Sequence, residues 1–284
     1  MQPNTIDIWE MNQQGLLIRP VTPVIGAEML NVDLDVLDES TLEEILGALM
    51  SHCVLFFRDQ DISIQSQKAL GAWFGELVVH PNDPGLEEHP EVMPIHADAN
   101  SERATGERWH SDVSCDPAPP MGSILRMHTV PESGGDTLFS SMYAAYEALS
   151  NEMKKLLMGL TAVHDGGPYY REVNRLIGRD DKGREYPSAE HPVIRTHPVT
   201  GRKALFVNEM FTTRIVELPK AESDAVLSFL RKHVQRPDFQ CRFRWKPNSV
   251  AFWDNRCTQH HAIWDYWPET RSGYRVTIQG ESPA

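Results

Sequence analysis

The sequence of 284 residues contains only four cysteines, and no two of them form a Cys-x-x-Cys pair. Clustered cysteines are typical of disulfide-stabilised secreted domains and of structural zinc sites, so reduced thiols are the expectation here. The chain also lacks an apolar run close to the roughly 18 residues that a membrane-spanning helix requires. Residues 1–10 lack the apolar segment of a signal peptide. We therefore expect a cytoplasmic protein that does not bind membranes.

Positive charge is scarce as well. The chain has 27 Lys and Arg residues against 40 Asp and Glu residues, which gives a net charge of −13. This imbalance disfavours binding to nucleic acid or to an anionic membrane surface. It does not exclude a small anionic substrate, because arginines inside a pocket act locally. The sequence shows no internal repeat and no flexible linker, so residues 1–284 are expected to form a single domain.

Amphipathic segments predict several helices, and short apolar segments predict many strands. Two helices are predicted after the capping residues Asp38 and Ser63, and others at 142–149, 150–161 and 221–234. Strands are predicted at 16–25, 26–33, 53–58, 123–128, 136–140, 204–208, 239–245, 249–253 and 274–280. Because few helices connect consecutive strands, this order favours a mainly β fold with flanking helices, an antiparallel sandwich or jelly roll, over a parallel α/β sheet.

Two segments, 81–108 and 165–192, are rich in proline, glycine and charged residues and show no sustained periodicity. Both are predicted to be irregular. Long loops in compact domains often cover or line binding sites. Segment 81–108 is therefore predicted to be a lid, and segment 165–192 an insertion.

The stretch Trp109-His-Ser-Asp112 places a histidine and an aspartate two residues apart. In an extended strand, residues i and i+2 face the same side, so His110 and Asp112 would present an imidazole and a carboxylate together. A second histidine is available at His260 or His261. These neighbours would face opposite sides of a strand, and their positions alone leave the choice open. Two histidines and one carboxylate suit a non-haem Fe(II) oxygenase and also a zinc site.

Two arginines near the C-terminus, Arg271 and Arg275, would lie on the same face of a strand. A guanidinium group suits bidentate binding of a carboxylate. The stretch Gly134-Gly-Asp-Thr137 combines a tight turn with a hydroxyl donor, although a plain hairpin turn is the simpler interpretation of this stretch alone.

Several stretches together match one family in the same order along the chain: Gly71-Ala-Trp-Phe-Gly-Glu-Leu-Val-Val-His80-Pro81, Trp109-His-Ser-Asp112, Gly134-Gly-Asp-Thr-Leu-Phe-Ser140, Asn208-Glu-Met-Phe-Thr-Thr-Arg-Ile215, Trp253-Asp-Asn-Arg-Cys-Thr-Gln-His260 and Arg275-Val-Thr-Ile278. Over nearly its whole length the chain resembles the taurine dioxygenase branch of the Fe(II)/2-oxoglutarate-dependent dioxygenases. The resemblance implies a double-stranded β-helix (jelly-roll) core that carries one Fe(II), with 2-oxoglutarate and O2 as co-substrates. It implies hydroxylation of a C–H bond in a small anionic substrate, with release of succinate and CO2. Taurine, another alkyl sulfonate, a sulfate ester or a carboxylate would be that substrate.

The resemblance also implies roles for individual residues around the metal. His110, Asp112 and His260 would be the iron ligands. His260 is favoured over its neighbour because Arg271 follows it by eleven residues, which is the spacing in the family. Arg271 and Thr137 would hold the distal carboxylate of 2-oxoglutarate.

Further residues would form the substrate pocket, again as the resemblance implies. Arg275 would take part in binding 2-oxoglutarate and would also bind the anionic group of the substrate. His80 would contact the same group, and Phe211 would pack on the substrate. Tyr169 and Tyr170 would reshape the pocket, because the stretch around them differs from its counterpart in the taurine enzymes.

Two further departures concern the substrate. The taurine enzymes have an asparagine where this chain has Gly106, and a tyrosine where it has Asp83. Gly106 removes a polar contact to a small substrate. Asp83 is expected to be solvated, with attraction of a substrate amine as the alternative. A substrate larger than taurine is therefore as plausible as taurine itself.

Two other classes of protein compete with a dioxygenase. A zinc-dependent hydrolase would use the same two histidines and aspartate, but it would leave Arg271 and Thr137 without a role. A non-catalytic jelly-roll binding protein would not need a complete ligand set. We also expect a homo-oligomer, a dimer or a tetramer.

Overall fold

The computed structural model describes residues 10–11, 16–83 and 85–284. Its strands are β1 (Glu10–Met11), β2 (Leu17–Pro20), β3 (Ala27–Leu30), β4 (Val54–Phe57), β5 (Val92–Ala97), β6 (Gly122–Thr129), β7 (Thr137–Ser141), β8 (Thr161–Asp165), β9 (Ser188–Pro192), β10 (Ile194–Thr196), β11 (Lys203–Leu205), β12 (Thr212–Ile215), β13 (Gln240–Phe243), β14 (Ser249–Asp254), β15 (Thr258–Ala262) and β16 (Arg271–Ile278). Its helices are α1 (Glu39–His52), α2 (Ile64–Phe74), α3 (Met142–Glu147), α4 (Asn151–Leu157), α5 (Gly167–Leu176) and α6 (Lys220–His233), with a 3₁₀ turn at Pro237–Phe239.

Eight strands form the main sheet in the order β1-β2-β3-β4-β14-β6-β16-β5, antiparallel except where β3 pairs with β4. The central strand β4 has the sequence Val-Leu-Phe-Phe and is buried throughout. Its alternate side chains enter two different cores: Leu55 and Phe57 pack with α1, whereas Phe56 packs toward the second sheet. A strand covered on both faces loses the usual alternation of polar and apolar residues, which explains this apolar run.

The second sheet, with the order β13-β7-β15, faces the main sheet. The ring of Phe56 stacks on that of Phe243 with centroids 4.0 Å apart, and it meets Phe139 edge-on at 5.6 Å. These aromatic contacts join the two sheets into a sandwich and bury a common apolar interior. The mainly β jelly-roll fold with flanking helices is confirmed.

The two helices predicted from capping residues are confirmed. Asp38 accepts a hydrogen bond from the backbone N–H of Thr41 at 2.8 Å, and Ser63 accepts one from Ser66 at 3.0 Å. Each bond satisfies a backbone donor that has no partner within its own helix. Among the described residues, no helix combines the length and the apolar character that a membrane crossing requires.

The two segments predicted to be irregular contain regular structure, so that prediction was wrong in part. Segment 81–108 includes β5, which is the edge strand next to β16. Its inward residues alternate with Pro94 and His96, and the proline obscured this period of two. Segment 165–192 includes α5 and β9; Pro168 lies in the first turn of α5, where proline is tolerated. Strands β8, β10, β12 and β15 were not predicted.

Candidate metal centre and substrate cleft

A short antiparallel bridge brings His110 and His260 side by side. The backbone N–H of His110 donates to the carbonyl of His260 at 3.1 Å, and the reverse bond measures 2.8 Å. Their imidazole centroids lie 4.0 Å apart. His260 lies on β15, whereas His110 forms an isolated bridge and Asp112 begins a turn in which Val113 has a φ of 44°. The expected extended strand at Asp112 was therefore wrong, because the chain turns there.

Asp112 completes a cluster of three buried side chains. Its Oδ1 lies 3.6 Å from Nε2 of His110 and 3.9 Å from Nε2 of His260. One ligand atom from each residue falls within 4.8 Å of the other two. Two ligand atoms that are each about 2.1 Å from one metal lie at most about 4.2 Å apart, so both measured distances suit a shared ion. His261 points away and stacks on Trp109 at 5.5 Å.

The carboxylate of Asp112 is held from several sides. Its Oδ2 accepts a hydrogen bond from Oγ of Ser123 at 2.7 Å, and its Oδ1 accepts one from Nη1 of Arg275 at 2.7 Å. The Oδ1 of Asn255 accepts from the backbone N–H of Asp112 at 3.1 Å, and its amide nitrogen donates to Ser123. Burial raises the pKa of Asp112, but Arg275 and His260 outweigh burial and bring that pKa well below its usual range. The carboxylate is therefore ionised at neutral pH.

Both imidazoles are suited to bind a cation. The Nδ1–H of His110 donates to the backbone carbonyl of Arg108 at 2.7 Å, which leaves Nε2 free toward Asp112. Burial, and then His110, lower the pKa of His260 well below its usual value. A neutral imidazole is the form that coordinates a metal. Two imidazoles and one carboxylate gathered in this way fit a non-haem iron site.

A second buried cluster contains His197, Asp254 and Cys257, but its polar groups already have partners. Nε2 of His197 donates to Asp254 at 3.0 Å, and its Nδ1 accepts from the backbone N–H groups of Val199 and Thr200. Arg256 donates to both carboxylate oxygens of Asp254. This cluster has a structural role and leaves no lone pair directed at a metal.

A small cavity leads from the triad to Arg271 and Thr137, the pair predicted to hold 2-oxoglutarate. Arg271 is buried, and its Nε donates to the carbonyl of Gly135 at 3.1 Å. The hydroxyl of Thr137 accepts a hydrogen bond from Nε1 of Trp245 at 2.9 Å, so its own hydrogen is available to a ligand. Burial lowers the pKa of Arg271, and among the described residues no carboxylate forms a salt bridge with it. An anionic group would supply that missing partner.

On the other side of the triad lies an open cleft of about 610 Å³, a size typical of sites for small organic molecules. The five predicted substrate residues all line it: His80, Arg275, Tyr169, Tyr170 and Phe211. The rings of Tyr169 and Tyr170 each lie 5.8 Å from that of Phe211. The predicted lid also contributes, through residues 100–103 and 105–106, and its closure stays a prediction.

His80 is held as a neutral hydrogen-bond donor. Its Nδ1 accepts the backbone N–H groups of Asn82 at 3.2 Å and Asp83 at 3.0 Å. The proton of a neutral ring must then reside on Nε2. Burial, and then Arg275, lower the pKa of His80 to about 4. The ring is therefore uncharged at neutral pH.

Both departures from the taurine enzymes have structural consequences. Gly106 has a φ of 83°, and a Cβ there would lie 3.2 Å from Cε1 of His110. Asp83 is paired with Arg179 at 3.0 Å and its side chain stays 29% exposed, so the carboxylate is partly solvated and also has a partner in the protein. That pair is formed in three dimensions across 96 residues of sequence.

Several residues at the site were not predicted from sequence. Ser123 and Asn255 hold Asp112, and they follow it in the chain by 11 and 143 residues. Arg103 and Arg108 both place their guanidinium groups 5.6 Å from the ring of Tyr169. The Gly-Pro start of α5 was the one signal that could have placed Tyr169 on a helix.

With this geometry established, comparison with known proteins identifies the family. The profile described as "Taurine catabolism dioxygenase TauD, TfdA family" matches residues 17–277. The chain belongs to the TauD/TfdA family. It is an Fe(II)- and 2-oxoglutarate-dependent dioxygenase, which uses O2 and hydroxylates a C–H bond with release of succinate and CO2. The zinc hydrolase and the non-catalytic binding protein are thereby set aside.

Individual TauD/TfdA relatives cover most of the chain. The alpha-ketoglutarate-dependent sulfate ester dioxygenase of Pseudomonas putida is 37% identical over 275 residues, which span 94% of this chain and 90% of the relative. An alkylsulfatase of Acinetobacter baylyi is 35% identical over 278 residues, 94% of this chain and 86% of the relative. The crystal structure of a taurine dioxygenase from Burkholderia xenovorans superposes with a TM-score of 0.81 at 37% identity, covering 95% of this chain and 91% of that one.

Proposed function

We propose that this dioxygenase oxidises alkyl sulfate esters or alkyl sulfonates whose apolar part is longer than that of taurine. The observation that carries the proposal is the polarity of the cleft. Arg275, which donates to Asp112, and His80 both line the cleft, and ten apolar or aromatic side chains form much of the rest of its wall. These are Met93, Pro94, Val113, Tyr169, Tyr170, Val173, Leu176, Ile177, Met210 and Phe211.

We assign the metal to His110, Asp112 and His260, and the distal carboxylate of 2-oxoglutarate to Arg271 and Thr137. The support is the convergence of the three ligand atoms and the cavity that joins them to the arginine. When bound, iron and 2-oxoglutarate supply the oxidation of a substrate C–H bond by O2. The residues of the chain supply orientation, charge and exclusion of water.

Arg275 and His80 would bind the sulfur oxyanion of the substrate. A guanidinium group gives a charged, forked donor, and the neutral imidazole gives a single N–H. The carbon bonded to the sulfate oxygen or to the sulfonate sulfur would then lie nearest the triad. Hydroxylation at that carbon gives a product that breaks down to an aldehyde and sulfate or sulfite.

The aromatic wall would hold the rest of the substrate. Tyr169 meets Phe211 edge-on, and Tyr170 packs tilted against both rings, so the three side chains form a stiff, largely apolar surface. Each methylene buried there contributes about 0.8 kcal/mol, or roughly a fourfold gain in affinity. No polar side chain occupies position 106, where the taurine enzymes have an asparagine.

A substrate panel tests the proposal. Succinate formation is measured with taurine, hexanesulfonate, hexyl sulfate and hexanoate, and with shorter sulfates to give a chain-length series. We expect kcat/KM to rise roughly threefold to fourfold per methylene until the cleft is filled. Release of sulfate or sulfite must match succinate in amount. A preference for taurine would contradict the proposal that the substrate has a longer apolar part. A preference for hexanoate would contradict the proposal that its anionic group is a sulfate or sulfonate.

A further inference from the structure

Two buried amides connect two segments that contribute side chains to the cleft. Nδ2 of Asn174 donates to Oδ1 of Asn82 at 2.9 Å, and Nδ2 of Asn82 faces Oδ1 of Asn174 at 3.4 Å. Asn82 is 1% exposed and Asn174 is fully buried. Asn174 belongs to α5 and Asn82 to the loop after His80. The pair therefore joins the helix of the aromatic wall to the loop of the anion site.

The same loop determines the state of His80. The backbone N–H groups of Asn82 and Asp83 both point at Nδ1 of His80, so the position of this loop decides which ring nitrogen carries the proton. The ring of Tyr170 meets His80 edge-on at 5.8 Å. Tyr170 and Asn174 are four residues apart on α5 and so share one helix face. The ring of Tyr170 and the amide of Asn174 therefore both influence His80 from the same helix.

Two arginines reinforce the connection from outside. Arg179 donates to the carbonyl of Asn82 at 3.1 Å and to Oδ1 of Asp83 at 3.0 Å. Arg184 donates to the carbonyl of Pro81 at 2.7 Å. Buried amides are costly unless fully hydrogen-bonded, and an apolar pair would pack here without that cost. The amide pair is explained if the loop after His80 must be held in one position, because hydrogen bonds fix that position more specifically than apolar contacts do.

We propose that Asn82 and Asn174 are positioning residues, which hold His80 in the Nε2–H form so that it donates into the cleft. The inference rests on the proposed function only in that the recipient is the anionic group of the substrate. Loss of the pair frees the loop, withdraws the two N–H groups from Nδ1 and lets the proton occupy either nitrogen. Part of the ring population then presents a lone pair, not a donor, to the anion.

The ring itself provides the direct measurement. Long-range ¹H–¹⁵N spectra of the full chain, loaded with diamagnetic Zn(II) and 2-oxoglutarate and labelled at histidine, distinguish the two neutral forms. The His80→Gln variant assigns the signals. We expect Nε2–H alone in the wild type and a mixture in Asn174→Ala. Nδ1–H in the wild type, or Nε2–H alone in Asn174→Ala, overturns the proposal.

Binding provides the second readout, with hexyl sulfate as the probe. We expect Asn82→Ala and Asn174→Ala each to weaken hexyl sulfate binding about 3-fold to 10-fold, the value of one hydrogen bond. The affinity for 2-oxoglutarate should stay unchanged. Because the two residues act through one contact, the double variant should bind no more weakly than either single variant. Additive losses would contradict a shared role.

Two further variants test whether misfolding or a general loss of stability could explain the effects. Asn174→Leu has nearly the same volume and is used if Asn174→Ala does not fold; it should show the same mixture of ring forms. Gln60→Ala removes another buried amide, which bonds Val32 and Leu34 far from the cleft. It should lose stability without any change at His80. If the wild type fails to bind hexyl sulfate, the proposed substrate is wrong, whereas the ring spectra still decide the role of the amides.

Discussion

Arg275 donates a hydrogen bond from Nη1 to Oδ1 of Asp112 over 2.7 Å, so a guanidinium group that lines the cleft is tied to the carboxylate of the proposed metal site. Four residues earlier on the same strand, Arg271 lines the smaller cavity beside Thr137, which Arg275 also borders. One strand therefore supplies two buried guanidinium groups to two neighbouring compartments. Because each cavity receives the positive charge of an arginine, we expect Arg271 and Arg275 to bind different anions.

The first prediction separates these roles. Arg271→Gln should raise KM for 2-oxoglutarate by about 10-fold to 100-fold and leave KM for the anionic substrate nearly unchanged, since a charged bidentate contact is lost. Arg275→Gln should show the opposite pattern. Steady-state kinetics with each substrate varied in turn measure both. An equal effect of both variants on both constants would contradict separate compartments.

The second prediction concerns the support of Asp112. Ser123→Ala removes the hydrogen bond to Oδ2, and loss of such a partner typically lowers metal affinity about 10-fold to 100-fold. Competition with a metal indicator under anaerobic conditions measures the Fe(II) affinity. Ser140→Ala is the matched control, because its buried hydroxyl bonds the carbonyl of Val234 away from the triad. Equal Fe(II) affinities in the two variants would show that Ser123 does not orient the ligand.

The third prediction concerns Gly106. Gly106→Asn introduces the residue of the taurine enzymes, but its Cβ would press on His110 in a left-handed backbone conformation. We expect weaker Fe(II) binding and no gain in taurine turnover, with Gly106→Ala giving a similar loss. Metal affinity and succinate formation are the measurements. Improved taurine turnover in Gly106→Asn would show that the loop relaxes to accept the side chain.

The fourth prediction concerns pH. Burial raises the pKa of Asp254, but His197 and Arg256 outweigh it and bring the pKa to about 2. The pKa in the unfolded chain is about 3.9, so the folded state binds fewer protons. This contribution to stability is complete above about pH 4 and is lost as the pH falls from about 4 to about 2.

Denaturant unfolding at several pH values tests the role of Asp254. Asp254→Asn should be less stable than the wild type at neutral pH and should lose less stability on acidification through that interval. Asp238→Asn is the control, because its carboxylate pairs with Arg236 at the surface and should leave stability nearly unchanged. Parallel acid profiles for wild type and Asp254→Asn would contradict a strongly paired buried carboxylate.

Much of the site follows from local pattern. Three local features indicate the chemistry without any coordinates: the residue types at positions 110 and 112, the spacing from His260 to Arg271, and the turn before Thr137. Each can be recognised from residues that are close together in the sequence. The caps at Asp38 and Ser63 likewise start α1 and α2 where predicted. The homo-oligomer and the cytoplasmic location stay predictions.

Other features depend on which strands pair. His260 and not His261 joins the triad, because β15 pairs with β7 and turns alternate side chains to opposite faces. Asp83 meets Arg179, and Asn82 meets Asn174, across about ninety residues. Hydrogen bonds and charge pairs between distant segments leave no periodic trace in sequence, since each partner alone has the composition of a loop. The amino-acid sequence by itself determined the catalytic chemistry, and the tertiary structure decided which side chains orient it.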